Sequence, residues 1–204
     1  MVGAAPSLAI NIGPLATPET GAAAALHRQG LSDTLNSRLG LIHLMRLYSV
    51  TAADPNSFVA TAHIEGELAG VVSSTLDPER LSALLRSELS TTSWLRIAAK
   101  LIGHPRSLLE LIETTTLLRP PNYRGQPVRP CLTSIVVSPA HGRRGIGLAL
   151  VEAVDAFVRS HGLPAYRLDT RVTNAPAVAF YRKHGFIEAE RRGRNIIFVR
   201  VLSQ

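Results

Sequence analysis

The run Val136-Val137-Ser138-Pro139-Ala140-His141-Gly142-Arg143-Arg144-Gly145-Ile146-Gly147-Leu148-Ala149-Leu150 constrains this chain more than any other. A β-branched stretch enters a basic, glycine-bearing loop. A helical pattern follows at once, with Ile146, Leu150, Val154, Phe157 and Val158 recurring on one side. Strand, loop and helix in that order turn the first N–H groups of the helix, and the positive end of its dipole, toward the loop. Glycine lets a ligand come close to the backbone. The passage reads as a cradle for an anion such as a pyrophosphate, with Arg143 and Arg144 adding charge. A tight turn with two solvated arginines is the alternative. It is not a P-loop, because no lysine and Ser/Thr follow the last glycine. The Rossmann fingerprint also fits poorly, since the third glycine and the later acidic residue are missing.

The rest of the chain is organised around this unit. The first residues read as a loose tail, and Leu8 to Ile12 as a short strand closed by Gly13-Pro14. Thr17-Pro18-Glu19 opens a helix, with Thr17 as its cap and Pro18 at the first helical position. A second helical stretch begins near Ser32, with Leu35, Leu39, Ile42, Met45 and Leu47 on its apolar side and Gly40 bending or dividing it. Phe58 to Ile64 and Leu68 to Thr75 form a hairpin about Glu65-Gly66-Glu67. Residues 78–118 carry leucines at helical spacing and read as a helical insertion of about three short helices, followed by a loop from Pro120 to Pro130. Leu132 to Val137 and Tyr166 to Thr170 read as strands, and Phe186 to Glu190 with Asn195 to Leu202 as a final hairpin. Alternating strands and helices specify an α/β protein with a mixed sheet, and residues 1–204 read as a single domain.

A second constellation is Asn174-Ala175-Pro176-Ala177-Val178-Ala179-Phe180-Tyr181. On a helix capped by Asn174 and ended by Gly185, positions 174, 177, 178 and 181 fall along one side. Small Ala177 leaves room for a ligand, and Tyr181 presents a phenol one turn on. A phenolic O–H can protonate a departing thiolate, because the two pKa values lie within a few units of each other. A plain cap and a packed tyrosine are the alternative reading.

Together the two passages resemble the GCN5-related N-acetyltransferase (GNAT) family between Leu132 and Phe186. That family's signature is a strand ending in Val-x-Pro, a basic loop with Gly-x-Gly and an amphipathic helix. Here these are Val137-Ser138-Pro139 and Gly145-Ile146-Gly147. The later Asn-x-x-Ala-x-x-x-Tyr with a Gly-Phe pair is similar to Asn174, Ala177, Tyr181 and Gly185-Phe186.

The resemblance implies a central sheet that splays between Leu132–Val137 and Tyr166–Thr170, flanked by helices: the acyl-CoA N-acyltransferase fold. It implies acetyl-CoA as co-substrate, with the pantetheine arm beside Ile135 and Val137. Gly142, Arg143, Arg144, Gly145, Ile146, Gly147 and Leu148 would hold the pyrophosphate, and Asn174 and Ala177 would lie next to the ligand. Tyr181 would protonate coenzyme A sulfur after direct attack by the amine. Two positions depart from the pattern. Gly142 stands where members usually carry Gln or Arg, and Thr133 and Ser134 stand where many carry an acidic base. Asp169, His63, Glu65 or a water chain remain open as proton acceptor.

The chain has 204 residues, 46% of them hydrophobic, which is enough for one sizeable core. Cys131 is its only cysteine, so an intramolecular disulfide and a multi-cysteine metal site are excluded, and no metal is expected. The formal charge of +7 suits a polyanion, and a phosphorylated cofactor meets that requirement. No basic helix with base-reading residues and no aromatic platform supports nucleic acid. No apolar run approaches the ~20 residues of a membrane span, and Met1 to Leu15 lack a secretory pattern, so a cytoplasmic protein is expected.

The expected acceptor is a small-molecule amine, with an amino sugar or its nucleotide-linked form first. The amine of a protein or peptide and a non-catalytic acyl-CoA-binding module are the alternatives. For residues 78–118 a lid over the acceptor competes with a homodimer arm and an interfacial membrane contact.

Overall fold

A computed structural model describes residues 9–88 and 117–202. Its strands are β1 (Ile10–Pro14), β2 (Ser57–Ile64), β3 (Glu67–Thr75), β4 (Asn122–Tyr123), β5 (Gln126–Pro127), β6 (Cys131–Val137), β7 (Ala165–Arg171), β8 (Ile187–Arg192) and β9 (Asn195–Val201). The helices are α1 (Thr20–Gly30), α2 (Leu35–Leu39), α3 (Leu41–Ala53), α4 (Pro78–Ser87), α5 (Ile146–Ser160) and α6 (Ala175–Lys183). Seven strands form one sheet in the order β1-β2-β3-β6-β7-β9-β8. Every neighbouring pair is antiparallel except β6 and β7, which run parallel.

That parallel junction positions everything else. β6 and β7 share a single registered pair, Cys131 with Arg167, supplemented by Arg167 N–H donating to the Pro130 carbonyl at 2.8 Å. Beyond it the strands part, as the family resemblance implies. The other edge of β6 stays paired to β3 along its length. That pairing contains a bulge: Ser73 faces Ser134 and Ser74 faces Leu132, which leaves Thr133 as the extra residue.

Helices cover both faces of the sheet. Under α1 and α3, Ala23, Ala24, Leu26, Leu44 and Tyr48 pack on Val59, Val71 and Val136. On the other face Ile146, Leu150, Val151, Val154 and Val158 of α5 join Ala60, Ala62, Tyr166, Leu168 and Phe198. One carboxylate is buried there. Asp155 accepts from Tyr166 Oη at 2.8 Å and from the Arg200 guanidinium at 2.7 to 3.0 Å, so its charge is neutralised where it sits.

Several sequence expectations need correction. Thr17 lies inside a 3-10 turn (Thr17–Glu19) instead of capping the helix, and Thr20 Oγ1 donates back to the Thr17 carbonyl. Gly40, with φ 107°, breaks the second helical stretch completely. The break resets the helical phase. The buried face of α3 therefore runs through Leu44, Tyr48 and Thr51, while Ile42 stands 77% exposed. The expected loop from Pro120 to Pro130 contains a miniature hairpin of β4 and β5. Within the expected helical insertion α4 is present, capped by Asp77, whose carboxylate accepts from the Glu79 and Arg80 amides. The remaining expected helices, between 89 and 116, lie outside the described residues, as does the expected N-terminal tail.

Candidate active site

The gap between β6 and β7 opens into a cavity of about 510 Å³. Leu132, Thr133, Ser134 and Ile135 form its β6 wall, and Asp169, Thr170 and Arg171 its β7 wall. The turn after α1 from Gly30 to Leu35 closes one side, and Asn174, Ala177 and Tyr181 of α6 and its cap close another. Gly30 is needed for this closure. A side chain there would put a Cβ 2.4 Å from Val136 Cγ1, so only glycine lets the end of α1 lie on β6.

Five of the sequence-nominated residues thus meet at one cavity: Ile135, Asp169, Asn174, Ala177 and Tyr181. Tyr181 is 6% exposed, its ring held edge-on by Phe180 and Phe186. Burial, reinforced by the nearby Asp169 carboxylate, pushes the phenol's pKa upward, which keeps the O–H protonated. Asp169 is itself raised by burial, with Arg167 and Arg192 opposing. Asn174 acts as a helix cap, its Oδ1 accepting from the Ala177 amide at 3.3 Å.

The other candidates sit on the loop and first turn that follow β6. Val137 is half-buried and pairs with Gly70 of β3. Gly145 caps α5 in the left-handed region at φ 84°, and Arg143 shares that region at φ 62°. From Arg143 through Leu148 no backbone N–H finds an acceptor among the described residues, and no side chain caps the helix. A continuous set of free donors at a helix N-terminus is what a pyrophosphate requires. Arg143 and Arg144 are exposed beside it.

Three details modify the expectation for this loop. The Gly142 amide turns inward and donates to the Pro139 carbonyl at 3.3 Å, so the free donors begin at Arg143. The Ile146 side chain is 1% exposed in the core, which leaves only its backbone for a ligand. Gly147 faces protein: a Cβ there would lie 3.2 Å from Phe180 Cζ. Its smallness serves the contact between α5 and α6.

The proton acceptors nominated from sequence separate cleanly. His63, on β2, is bonded to Glu19 at 2.7 Å, and Glu65 lies in the hairpin turn; neither lines the cavity. Asp169 does. Sequence reasoning missed Arg167, 1% exposed, whose guanidinium donates to the Leu117 and Leu118 carbonyls at 2.7 and 3.1 Å. It also missed the polar residues His27 and Tyr48, buried behind β6. None of the three is visible in a strand or helix pattern, where Arg167 and His27 pass for surface and Tyr48 for core.

A mixed sheet that splays beside a helix N-terminus bearing free amides defines a class, the acyl-CoA N-acyltransferase fold. The chain belongs to the acetyltransferase (GNAT) family, whose model matches residues 28–186. It is 38% identical over 58 residues to the [ribosomal protein bS18]-alanine N-acetyltransferase of Escherichia coli strain K12, a match spanning 28% of this chain and 39% of that enzyme. The crystal structure of PaiA N-acetyltransferase from Thermoplasma acidophilum in complex with coenzyme A superposes with a TM-score of 0.62 at 12% identity, covering 95% of this chain and 99% of that one. The ribosomal-protein-S18-alanine N-acetyltransferase from Escherichia coli gives 0.58 at 18% identity, with 96% of each chain covered. At these identities the structural likeness concerns the fold. No helix among the described residues is long and apolar enough to cross a membrane.

Proposed function

We propose that the chain transfers an acetyl group from acetyl-CoA to an amine. The observation that carries this reading is the parting of β6 and β7 beyond Cys131 and Arg167, with Tyr181 facing the resulting cavity. The β6 edge that turns away from β3 is free of strand partners there, so backbone at Ile135 and Val137 can bind an extended pantetheine arm. The free amides from Arg143 to Leu148 would hold the pyrophosphate, with Arg143 and Arg144 adding charge. When bound, acetyl-CoA supplies an activated acyl group and a thiolate leaving group. Tyr181, held protonated by burial, would supply the proton that the thiolate needs, and the proton shed by the acylated nitrogen would replace it, so that no net proton is taken up.

The acceptor is a primary amine small enough to reach the cavity. Two classes compete. An amino sugar is suggested by resemblance alone, since the length of the 78–118 insertion is similar to that of family members placed near sugar and polysaccharide synthesis. A polypeptide α-amine is favoured by the similarity to the bS18-alanine N-acetyltransferase. The test is a panel of four amines with acetyl-CoA: glucosamine, a nucleotide-linked amino sugar, spermidine and a peptide beginning with alanine. Release of free thiol is expected with at least one. Tight binding of acetyl-CoA without thiol release from any amine would instead make the chain an acyl-CoA-binding module.

A further inference from the structure

Behind the β6 wall of the cavity, four hydroxyls and one imidazole form a continuous row. Thr133 Oγ1 lies 2.7 Å from Ser73 Oγ, which lies 2.7 Å from Ser134 Oγ. Ser134 Oγ is 3.4 Å from Tyr48 Oη, the longest link, and Tyr48 Oη is 2.8 Å from His27 Nδ1. Thr133 alone is exposed; Ser73, Ser134, Tyr48 and His27 are all buried. The bulge in β6 makes the row possible. Neighbours on a regular strand face opposite sides, but the extra residue Thr133 bends far enough to meet Ser73 on the side of Ser134.

A hydroxyl donates one hydrogen and accepts others, so a closed-off row of them has two self-consistent polarities. The group at the buried end decides between them. Burial, with a smaller contribution from His43, lowers the His27 pKa to about 4, so the ring is neutral at working pH. A neutral imidazole has one nitrogen that donates and one that accepts. With Nδ1 as the acceptor, every O–H points toward His27. Thr133 then donates inward to Ser73, and both of its lone pairs are left for the cavity.

We infer that His27 and Tyr48 are positioning residues that set the polarity of this hydroxyl row, so that Thr133 accepts a hydrogen bond from the N–H of the amine substrate. The inference rests on the acetyltransferase reading and assigns an orienting group for the acceptor nitrogen on a wall that lacks a carboxylate. The row orients the amine and does not take its proton, because an imidazole that titrates near 4 is a poor sink at neutral pH.

Two measurements test it. Long-range ¹H–¹⁵N spectra of the free protein at neutral pH should show His27 as the Nε2–H tautomer; the Nδ1–H tautomer reverses the row and overturns the inference. Kinetics come second, with whichever of the four panel amines turns over fastest. His27→Leu, Tyr48→Phe and Thr133→Val should each raise KM for the amine fivefold or more, while KM for acetyl-CoA stays within twofold. Thr133→Val acts at an exposed position and so does not depend on refolding of the buried layer. His27→Asn keeps an acceptor close to the Nδ1 position and should restore KM to within twofold of the parent protein. Equal impairment by Asn and Leu, or a joint rise of both KM values, makes the row mere packing and sinks the inference. Failure of the parent protein to turn over any amine overturns the acetyltransferase reading itself and takes the role of Thr133 with it.

Discussion

Cys131 and Arg167 form the one registered pair between β6 and β7 among the described residues, so the two halves of the sheet meet at a single rung. Arg167 also holds the far end of the segment that precedes β6, through the Leu117 and Leu118 carbonyls. One buried guanidinium thus fixes both the hinge of the splay and the chain beside it. Hydrogen bonds from a charged group contribute roughly 1.5–3 kcal/mol each. Arg167→Met should therefore lower stability by about 3 kcal/mol in urea unfolding. An unchanged midpoint would show that the two carbonyls find other donors.

Tyr181→Phe keeps the ring that packs against Phe180, Phe186 and Phe198 and removes only the hydroxyl. Stability should change little. The expected loss falls on kcat, by roughly 10²–10⁴-fold if the phenol is the general acid. Because burial raises its pKa, the phenol stays protonated across the neutral range and up to its ordinary value of about 10. No alkaline fall in rate below that point should disappear in the Phe variant. A kcat within twofold of the parent enzyme, with chemistry rate-limiting, assigns the proton to water.

His27 makes stability depend on pH. Its folded pKa is lowered from 6.5 to about 4, so the unfolded chain binds more protons between those values. The contribution is fully present above pH 6.5 and is lost as pH falls toward 4, amounting to on the order of 3 kcal/mol. Denaturant unfolding across this window should show the slope in the parent protein, and His27→Asn should flatten it. A slope unchanged by that substitution would assign the acid sensitivity to other groups.

Gly142 in the loop and Gly147 in the first turn of α5 should respond differently. A Cβ at Gly142 would meet only the Pro139 carbonyl oxygen at 3.5 Å, and its backbone has a negative φ. Gly142→Ala should leave stability within about 0.5 kcal/mol. Gly147→Val would drive into the Phe180 ring, and overpacking of this kind costs about 1–3 kcal/mol. Thermal unfolding separates the two. Equal melting temperatures would mean that α6 moves aside without cost.

Much of the architecture was legible because it is written locally. The Asn174 cap, the turn at Glu65-Gly66 and the start of α5 after the Gly145 region each act within a few residues, and the apolar face of α5 recurs at helical spacing. These same signals put Tyr181 on α6 and the glycine-bearing loop before α5, while the splay of the sheet came from the family resemblance. The α3 face was misjudged because a single glycine decides whether two helical patterns share a phase, and the pattern alone does not report that Gly40 adopts φ 107°.

What the tertiary structure decided is where polar groups find partners. His27 meets Tyr48 across 21 positions, Ser73 meets Ser134 across 61, and Tyr48 meets Ser134 across 86. Those pairs exist only once β3 and β6 adopt their bulged register and α1 and α3 settle on the same face. Arg167 is buried for the same kind of reason, since only the folded chain brings two carbonyls to its guanidinium. Most buried donors and acceptors are satisfied, Arg167 Nε being an exception here, but the partner can come from anywhere in the chain. Sequence periodicity reports which side of an element is apolar, and it is silent about which distant hydroxyl will complete a row.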